Sequence, residues 1–327
     1  MTSLPYSSRT VNIAGSVADL TVHVGEDEYR QPVRSFKVLT STMRMHSPAW
    51  DAMLRPDGSF AENGSNDVRF PADDADAFEV VLNVLHGHVD MVPNAFTLEA
   101  LHNLAKICDE YFVVAPIRPI ISNERLPAGP NPQLEERYRV PLHDAWLTIC
   151  WVFGLEEQFR THLKATITHV IQTQDQPQVP MTLAPIVFDC LPEGMGNYII
   201  EQMKDHFQKL LDDVLSNKDL VHGLCSNPSN SNLCFVDDWT TELCCSTMLG
   251  SLIRERHRIA EALDKVCAQR IISVGELADL LRTIQILTWS SAHERCPDKL
   301  RLKETIDDIL SAPLKLLDAH QAHFDSF

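Results

Sequence analysis

The chain has 327 residues, of which 44% are hydrophobic and 22% are charged, the balance of a globular protein that buries a sizeable core. Its 45 Asp and Glu residues outnumber its 28 Lys and Arg residues, which gives a formal net charge of -17. Such a charge repels nucleic-acid phosphates, and the sequence has no concentrated basic patch to overcome it, so we expect no direct nucleic-acid binding.

The first 121 residues mix predicted strands with predicted helices. Apolar and polar residues alternate in the first strand, and turns or prolines bound the other two, so that strands are predicted at 18–25, 29–36 and 67–71. Ser47 before Pro48, Asp73 or Asp74, and Thr97 are typical helix N-caps. Together with apolar residues at helical spacing they predict helices at 37–45, 48–54, 75–87 and 98–113.

The rest of the chain reads as a linker followed by helices only. Residues 122–141 contain four prolines and many charges, which is typical of a linker or long loop. Apolar residues at helical spacing then predict helices at 142–153, 155–172, 182–191, 198–215, 241–269, 275–289 and 300–317. The sequence therefore predicts an α+β domain at 1–121, a linker at 122–141 and an all-helical domain at 142–327.

Hydropathy and cysteine usage indicate a cytoplasmic or nuclear protein. The N-terminal residues have no apolar run of the kind found in signal peptides, and the most apolar stretch, 145–155, is too short to span a bilayer. The nine cysteines are odd in number and include no C-x-x-C pair. We expect them to be reduced and mostly buried as small apolar side chains, with no membrane contact.

Sequence signatures of catalysis are missing. There is no G-x-S-x-G, Walker, G-x-G-x-x-G or H-E-x-x-H pattern in the chain. The glycines are few and do not cluster in a way that would cradle a phosphate. The sequence therefore predicts a non-enzymatic protein that needs no cofactor.

One group of cysteines and a histidine needs weighing as a metal site, namely His222, Cys225, Cys234, Cys244 and Cys245. Zinc takes four Cys or His ligands, usually with a close pair among them, and His222-x-x-Cys225 is such a pair. However, the adjacent residues Cys244 and Cys245 rarely chelate one ion. The spacing favours loop and helix cysteines without a metal, and metal binding by the Cys225–Cys245 region stays open.

Residues 1–121 resemble a BTB/POZ domain, and the chain as a whole resembles the BTB proteins of filamentous fungi that carry a helical C-terminal region. Several separate patterns agree in order and spacing over about a hundred residues. The matching segments are Asp19 to Val24, Phe36 to Val38, Ser47 to Leu54, Phe60 to Glu62, Val68 to Pro71, and Leu101 to Tyr111. The resemblance implies an α+β fold and a role in protein–protein interaction.

The resemblance also implies a partner-binding site. BTB adaptors of cullin-RING ubiquitin ligases contact the cullin through a hydrophobic-x-Glu motif after a short helix, and Phe60-Ala61-Glu62 falls at that place. An exposed aromatic can anchor in a partner pocket while a carboxylate fixes the register. We therefore expect Trp50, Phe60 and Glu62 to bind the partner, with 142–171 as the adaptor's following helix pair. In the competing interpretation Phe60 folds back on the domain and Glu62 begins a loop.

Two other functions stay open on the sequence. One is a transcriptional or chromatin cofactor that forms a homodimer through the BTB domain and has no DNA-binding element of its own. The segment before Asp19 is short and polar, whereas dimerising members exchange a longer N-terminal element, so the oligomeric state stays open. The other is an enzyme or metal protein built on the helical C-terminal region.

Overall fold

The computed structural model describes most of the chain and divides it into two compact units. One unit comprises Met1–Phe159 with Asp318–Phe327, and the other comprises Arg160–Leu317. None of the helices in the described part of the chain combines the length and apolar character needed to cross a bilayer. The described residues are 9–27, 29–56, 65–121, 126, 141–169, 171–172, 177–178, 194–215, 234–236, 240–267 and 272–327.

A mixed four-stranded sheet forms the core of the first unit. Its strands are β1 (Arg9–Asn12), β2 (Leu20–Glu26), β3 (Pro32–Val38) and β4 (Asp67–Phe70), in the order β1-β3-β2-β4. The central strands β2 and β3 are antiparallel, whereas β1 runs parallel to β3 and β4 parallel to β2. Alternate residues of β2 (Leu20, Val22 and Val24) are buried, as the period of two requires for a sheet covered on one face.

Helices cover this sheet, and side-chain caps fix where three of them begin. They are α1 (Thr40–His46), α2 (Pro48–Leu54), α3 (Ala75–Leu85), α4 (Leu98–Glu110) and α5 (Val114–Ile117), with short 3₁₀ turns at Gly15–Val17, Val89–Met91 and Arg118–Ile120. The predicted caps Ser47, Asp74 and Thr97 each accept a hydrogen bond from a backbone N–H of the first turn. Between Asp73 and Asp74, which the sequence left open, the structure selects Asp74.

The first unit continues beyond the sheet into α6 (Pro141–Phe153), the start of α7 (Glu156–His169) and α12 (Asp318–Asp325). Helix α6 packs against α4. The ring of Trp151 in α6 stacks on His323 of α12 with centroids 3.6 Å apart, and it meets Phe324 edge-on. Arg118 holds Phe327 by a 2.8 Å hydrogen bond to its carbonyl and by lying 4.5 Å over its ring.

The second unit is mainly helical. Its described elements are the rest of α7, β5 (Ile171–Gln172), β6 (Pro177–Gln178), α8 (Met195–Leu210), a π turn (Leu211–Leu215), α9 (Thr241–Cys267), α10 (Val274–Arg282), 3₁₀ turns at Ser291–His293 and Cys296–Leu300, and α11 (Leu302–Ser311). Helix α10 begins with a capping box in which Ser273 and Glu276 each bond the other's backbone N–H. Helices α8, α10 and α11 pack on one another.

The structure bears out a small sheet with helices followed by a mainly helical region, and it corrects several details. The pair β5–β6 means that the region after residue 142 is not helical throughout. Strand β1 and helix α12 were not predicted. Helix α10 ends at Arg282 although a helix was predicted to residue 289, and the helix predicted at 182–191 lies outside the described residues. The domains predicted at 1–121 and 142–327, with a linker at 122–141, stay a prediction.

Candidate functional site

The buried side chain of Ser47 fixes the junction between α1 and α2. Its hydroxyl accepts a hydrogen bond from the N–H of Trp50 at 3.0 Å, which caps α2, and donates one to the carbonyl of Tyr111 at 2.6 Å. The first bond sets the start of the helix, and the second ties the helix to the end of α4. A single hydroxyl therefore holds α2 in place relative to the rest of the domain.

The structure corrects the prediction that Trp50 contacts a partner. Its side chain is 0% exposed. The ring stacks on Tyr111 with centroids 5.1 Å apart and lies 5.7 Å from Phe78, while Phe70 packs against both of these residues. The indole Nε1 has no acceptor among the described residues. Trp50 belongs to the aromatic core beneath α2 rather than to its surface.

Tyr111 connects this aromatic core to the half-buried carboxylate of Asp73. Its hydroxyl donates a 2.7 Å hydrogen bond to Asp73 Oδ2. Burial raises the pKa of Asp73 above the ordinary value, and the Tyr111 hydroxyl opposes part of that rise. Burial also raises the pKa of Tyr111, and the bond to Asp73 raises it further. The pair therefore places a titratable group next to the packing of α2.

The predicted contact residues Phe60 and Glu62 lie outside the described residues. The surface of the preceding helices is described, and Met45 stands out on it with 74% of its side chain exposed. Arg44, which precedes Met45 in the chain, donates a 2.9 Å hydrogen bond to Asp51, and Asp51 also accepts one from Arg55. The guanidinium of Arg55 and then that of Arg44 lower the pKa of Asp51. The described residues of α1 and α2, with Arg55 at the end of α2, thus carry both an exposed apolar side chain and a network of paired charges.

A second site, which the sequence analysis did not predict, lies in the other unit. The side chains of Cys234, Cys244, His293 and Cys296 converge there, and their Sγ and ring-nitrogen atoms all lie within 4.8 Å of one another. Cys234 Sγ lies 3.2 Å from His293 Nδ1 and 3.7 Å from Cys296 Sγ, and Cys296 Sγ lies 3.7 Å from the same nitrogen. We refer to these four residues as the Cys–His cluster.

Three separate stretches of the chain supply the Cys–His cluster. Cys234 lies in the short segment 234–236, Cys244 lies in the first turn of α9, and His293 and Cys296 lie on the two consecutive 3₁₀ turns. All four residues are buried, with His293 only 1% exposed. Apolar side chains surround the cluster on the α9 side and from the second 3₁₀ turn, namely Cys245, Met248, Leu252 and Leu300. Water is therefore largely kept from the sulfurs.

Hydrogen bonds orient the members of the Cys–His cluster. The Oγ1 of Thr240 lies 2.8 Å from His293 Nε2, so that the ring turns its Nδ1 toward the sulfurs. The backbone N–H of Phe235 donates to Cys296 Sγ at 3.4 Å, and Lys299 donates to the carbonyl of Cys234 at 2.9 Å. Burial raises the pKa of the Cys244 thiol, and neighbouring Cys296 raises it further. Chemically, three sulfurs and one nitrogen aimed at one point form a donor set for a soft cation.

The sequence analysis included two members of this cluster and missed the other two. Cys234 and Cys244 were in the group weighed as a metal site, whereas His293 and Cys296 lie about fifty residues further along. The signal that could have found them is the close pair His293-x-x-Cys296. Cys245 lies in the apolar surroundings instead, and His222 and Cys225 lie outside the described residues.

Comparisons with known proteins add no family to this description. A scan against protein-family models gave no match, and neither did searches of the curated proteins and of the solved structures.

Proposed function

We propose that this chain is a non-enzymatic protein–protein interaction protein of the BTB/POZ type, acting as an adaptor that recruits substrates to a cullin-RING ubiquitin ligase. The observation that carries the proposal is the arrangement of the described residues between 9 and 121, in which the helix pair α1–α2 follows a small mixed sheet and α1 packs against α3. The segment with Phe60 and Glu62 follows this pair directly in the chain. Phe60 comes six positions after Leu54, the last residue of α2.

The buried residues of α2 suit it to present a binding segment. Trp50 anchors the helix in the aromatic core, and Ser47 pins its first turn to Tyr111. A segment that leaves a rigid helix starts from a fixed position, which lowers the conformational entropy lost on binding. The corrected role of Trp50 is therefore that of a positioning residue, which holds the platform while other side chains meet the partner.

The exposed face of α1 supplies an apolar side chain on the described surface of the helix pair. Met45 is 74% exposed, and a flexible thioether is well suited to packing against a partner surface. The ion pairs of Asp51 with Arg44 and Arg55 add charged groups on the same helix pair. An apolar centre with a polar rim is the usual composition of a protein interface. The second unit would then receive the substrate.

The test is calorimetric titration of the purified chain with the N-terminal domain of a cullin from the same organism. We expect a dissociation constant in the micromolar range or below. Phe60→Ala and Glu62→Ala should each weaken binding by at least about 30-fold, as for residues at the centre of an interface. Met45→Ala should weaken binding by a smaller factor. Met91→Ala, which removes a methionine of similar exposure from another surface, is the matched control and should leave binding unchanged.

Two outcomes would overturn the adaptor proposal. One is the absence of binding by the wild-type chain, which would leave Phe60 as local packing and Glu62 as the start of a loop. The other is binding that Phe60→Ala, Glu62→Ala and Met45→Ala do not affect, because the contact would then lie elsewhere. Circular dichroism of each variant shows whether a lost interaction reflects a lost fold.

A second candidate function, self-association of a transcriptional or chromatin cofactor, draws on a different observation. Strand β1 is the outermost strand on its side of the sheet within the described residues, and its side chains are mostly exposed. An edge strand offers unpaired backbone groups to a second chain. Light scattering over a range of concentrations tests this candidate. A dimer mass would favour it, and a monomer at every concentration would exclude it.

A further inference from the structure

We propose that Cys234, Cys244, His293 and Cys296 form a closed, tetrahedral zinc site that holds together the second unit of the protein. The proposal rests on the Cys–His cluster alone and does not depend on the adaptor function. It assigns a metal to a part of the chain where the sequence analysis favoured none and left metal binding by the Cys225–Cys245 region open.

The spacing of the donor atoms fits a zinc tetrahedron. With Zn–S bonds of about 2.3 Å and Zn–N bonds of about 2.0 Å, two sulfurs lie about 3.8 Å apart and a sulfur and a nitrogen about 3.5 Å apart. In the structure Cys234 Sγ and Cys296 Sγ are 3.7 Å apart, and these sulfurs lie 3.2 Å and 3.7 Å from His293 Nδ1. The other separations, including those to Cys244, stay within 4.8 Å.

The donor set selects zinc among the common metals. Three thiolates and one imidazole form one of the recurring ligand sets of structural zinc sites, and soft sulfur ligands disfavour magnesium and calcium. His293 and Cys296 also supply the close ligand pair that such sites usually contain. Because four protein ligands fill a tetrahedron and all four are buried, the site has no open position for a substrate. It is therefore structural rather than catalytic.

The surroundings of the cluster support metal-bound thiolates. The contact of Thr240 with His293 Nε2 leaves Nδ1 free to bind the metal, which is the outer-shell arrangement typical of histidine ligands. The Phe235 N–H points at Cys296 Sγ and can stabilise negative charge on the sulfur. Three thiolates and one Zn²⁺ leave a net charge of about -1. Lys299 and Arg295, both placed over the ring of Phe235, supply positive charge nearby.

A disulfide and plain apolar packing explain the cluster less well. A disulfide between Cys234 and Cys296 would leave the positions of Cys244 and of the buried His293 imidazole unexplained. The sulfurs of Cys234 and Cys296 are also 3.7 Å apart, well beyond a disulfide bond length of about 2.05 Å. Apolar packing accounts for buried cysteines but not for a buried histidine whose Nδ1 faces two sulfurs. A shared metal ion accounts for all four side chains at once.

The ion would join the start of a long helix to short turns that have little regular structure of their own. It links segment 234–236 and the start of α9 to the two 3₁₀ turns that follow α10. These stretches are far apart in sequence, so a single ion closes a long loop and stabilises the folded state. The long helix α9 thereby gains a fixed N-terminal end.

The first test is metal analysis of the full chain, purified with reductant, without added zinc and with any affinity tag removed. Mass spectrometry of the metal content should give one zinc per chain. A thiol-specific mercurial should release this zinc as three thiols react. Exchange with Co²⁺ should produce the visible absorption of tetrahedral cobalt with thiolate charge-transfer bands. X-ray absorption of the zinc protein should show three sulfur neighbours and one nitrogen neighbour.

Adjacent cysteines provide a matched pair of variants. Cys244 and Cys245 are both 0% exposed in the first turns of α9, but only Cys244 belongs to the cluster. Cys244→Ala should lose the zinc, whereas Cys245→Ala should keep it. His293→Cys guards against simple misfolding, because it preserves four ligands. This variant should keep one zinc and show four sulfur neighbours.

Three results would overturn the proposal. The first is a folded, fully reduced wild-type chain that contains no zinc and takes up neither added Zn²⁺ nor Co²⁺. The second is a disulfide between Cys234 and Cys296 in a protein kept under reducing conditions. The third is zinc that Cys244→Ala retains in full, because the ion would then be held elsewhere. Cullin binding plays no part in these measurements, so either proposal can fail without the other.

Discussion

Ser47 shows how much a single side chain can fix in this fold. It is 1% exposed and makes two hydrogen bonds, one within α2 and one to the end of α4. Ser47→Ala removes a helix cap and a buried bond together, so we expect the free energy of unfolding to fall by about 2 kcal/mol. Thr97→Ala is the matched comparison. Thr97 is an exposed cap with one bond, and its loss should cost about 0.5–1 kcal/mol.

Chemical denaturation of both variants checks the Ser47 prediction. A smaller effect of Ser47→Ala than of Thr97→Ala would mean that the hydroxyl does not pin α2 to α4. The position of α2 would then depend on the packing of its buried residues, Trp50 and Leu54.

Asp73 should make stability depend on pH. Burial raises its pKa above the ordinary value of 3.8, so the folded state holds the proton more tightly than the unfolded chain does. The stabilisation from this group is therefore complete below the ordinary pKa and is lost as the pH rises through the raised value. Asp73→Asn removes the ionisation, and it should stabilise the protein more at pH 7 than at pH 4. Urea denaturation at both pH values measures the difference.

Tyr111→Phe should have the opposite effect to Asp73→Asn on the pH dependence of stability. It removes the hydrogen bond that holds down the pKa of Asp73, so the loss of stability with rising pH should become steeper than in the wild type. An unchanged profile in both variants would show that Asp73 does not control the pH dependence.

At the scale of elements, the turn between α6 and α7 depends on Gly154. Its φ is +66°, a conformation that disfavours other residues, and a Cβ placed there would clash with the ring of Phe327. Gly154→Ala should cost about 2 kcal/mol or more, because steric displacement of the C-terminal residues adds to backbone strain. Gly87→Ala, with φ +83° but open space, should cost only about 1 kcal/mol.

Hydrogen exchange distinguishes the two glycine variants. Gly154→Ala should speed exchange in α12, which packs on Trp151, and Gly87→Ala should not. Equal exchange in the two variants would mean that Phe327 moves aside at no cost.

Elements with strong local signals could be predicted from the sequence, and the others depend on distant contacts. Strand β2 alternates, and Ser47 and Thr97 mark the starts of α2 and α4, as the structure has them. Strand β1 has only four, mostly exposed residues and is defined by backbone pairing with β3, so its side chains carry little signal. Helix α12 likewise carries little signal in its sequence, because it buries only His320 and Phe324.

The end of α10 illustrates a distant contact that overrides a local pattern. Apolar residues continue beyond Arg282 at helical spacing, which predicted a longer helix. In the structure, however, side chains of α9 take up the backbone groups of this stretch: Arg258 binds the carbonyl of Thr283, Glu255 accepts from Gln285 N, and Ser251 accepts from Leu287 N. With those groups satisfied, the chain can leave the helix.

In the candidate sites, too, features with a local sequence signal could be predicted, and features that depend on distant contacts could not. The position of Phe60 and Glu62 after α2 could be suggested from order along the chain, whereas the burial of Trp50 could not, because it depends on Phe78 and Tyr111 from other helices. The Cys–His cluster joins residues that lie about fifty positions apart. Only its close pair, His293 and Cys296, is visible in the sequence.

For the molecule as a whole, the proposed zinc site predicts that a metal chelator acts on one part of the chain. A strong zinc chelator added to the purified chain should increase hydrogen exchange at the start of α9 and in residues 291–300, because the Cys–His cluster lies there. The sheet residues of β2 and β3 serve as the internal reference and should exchange as before. A uniform increase in both regions, or no change at α9, would contradict the expectation.

The first unit is discontinuous in sequence, and this has a consequence for synthesis on the ribosome. Residues 160–317 are translated between Phe159 and the segment Asp318–Phe327 that completes the unit. At about 5–20 residues per second, roughly 8 to 30 s pass between the synthesis of Phe159 and that of His323 and Phe324. These two later residues pack against Trp151 and Phe159. During that interval the nascent chain exposes an apolar surface that a chaperone can bind, and the unit closes only after translation has passed its last helix.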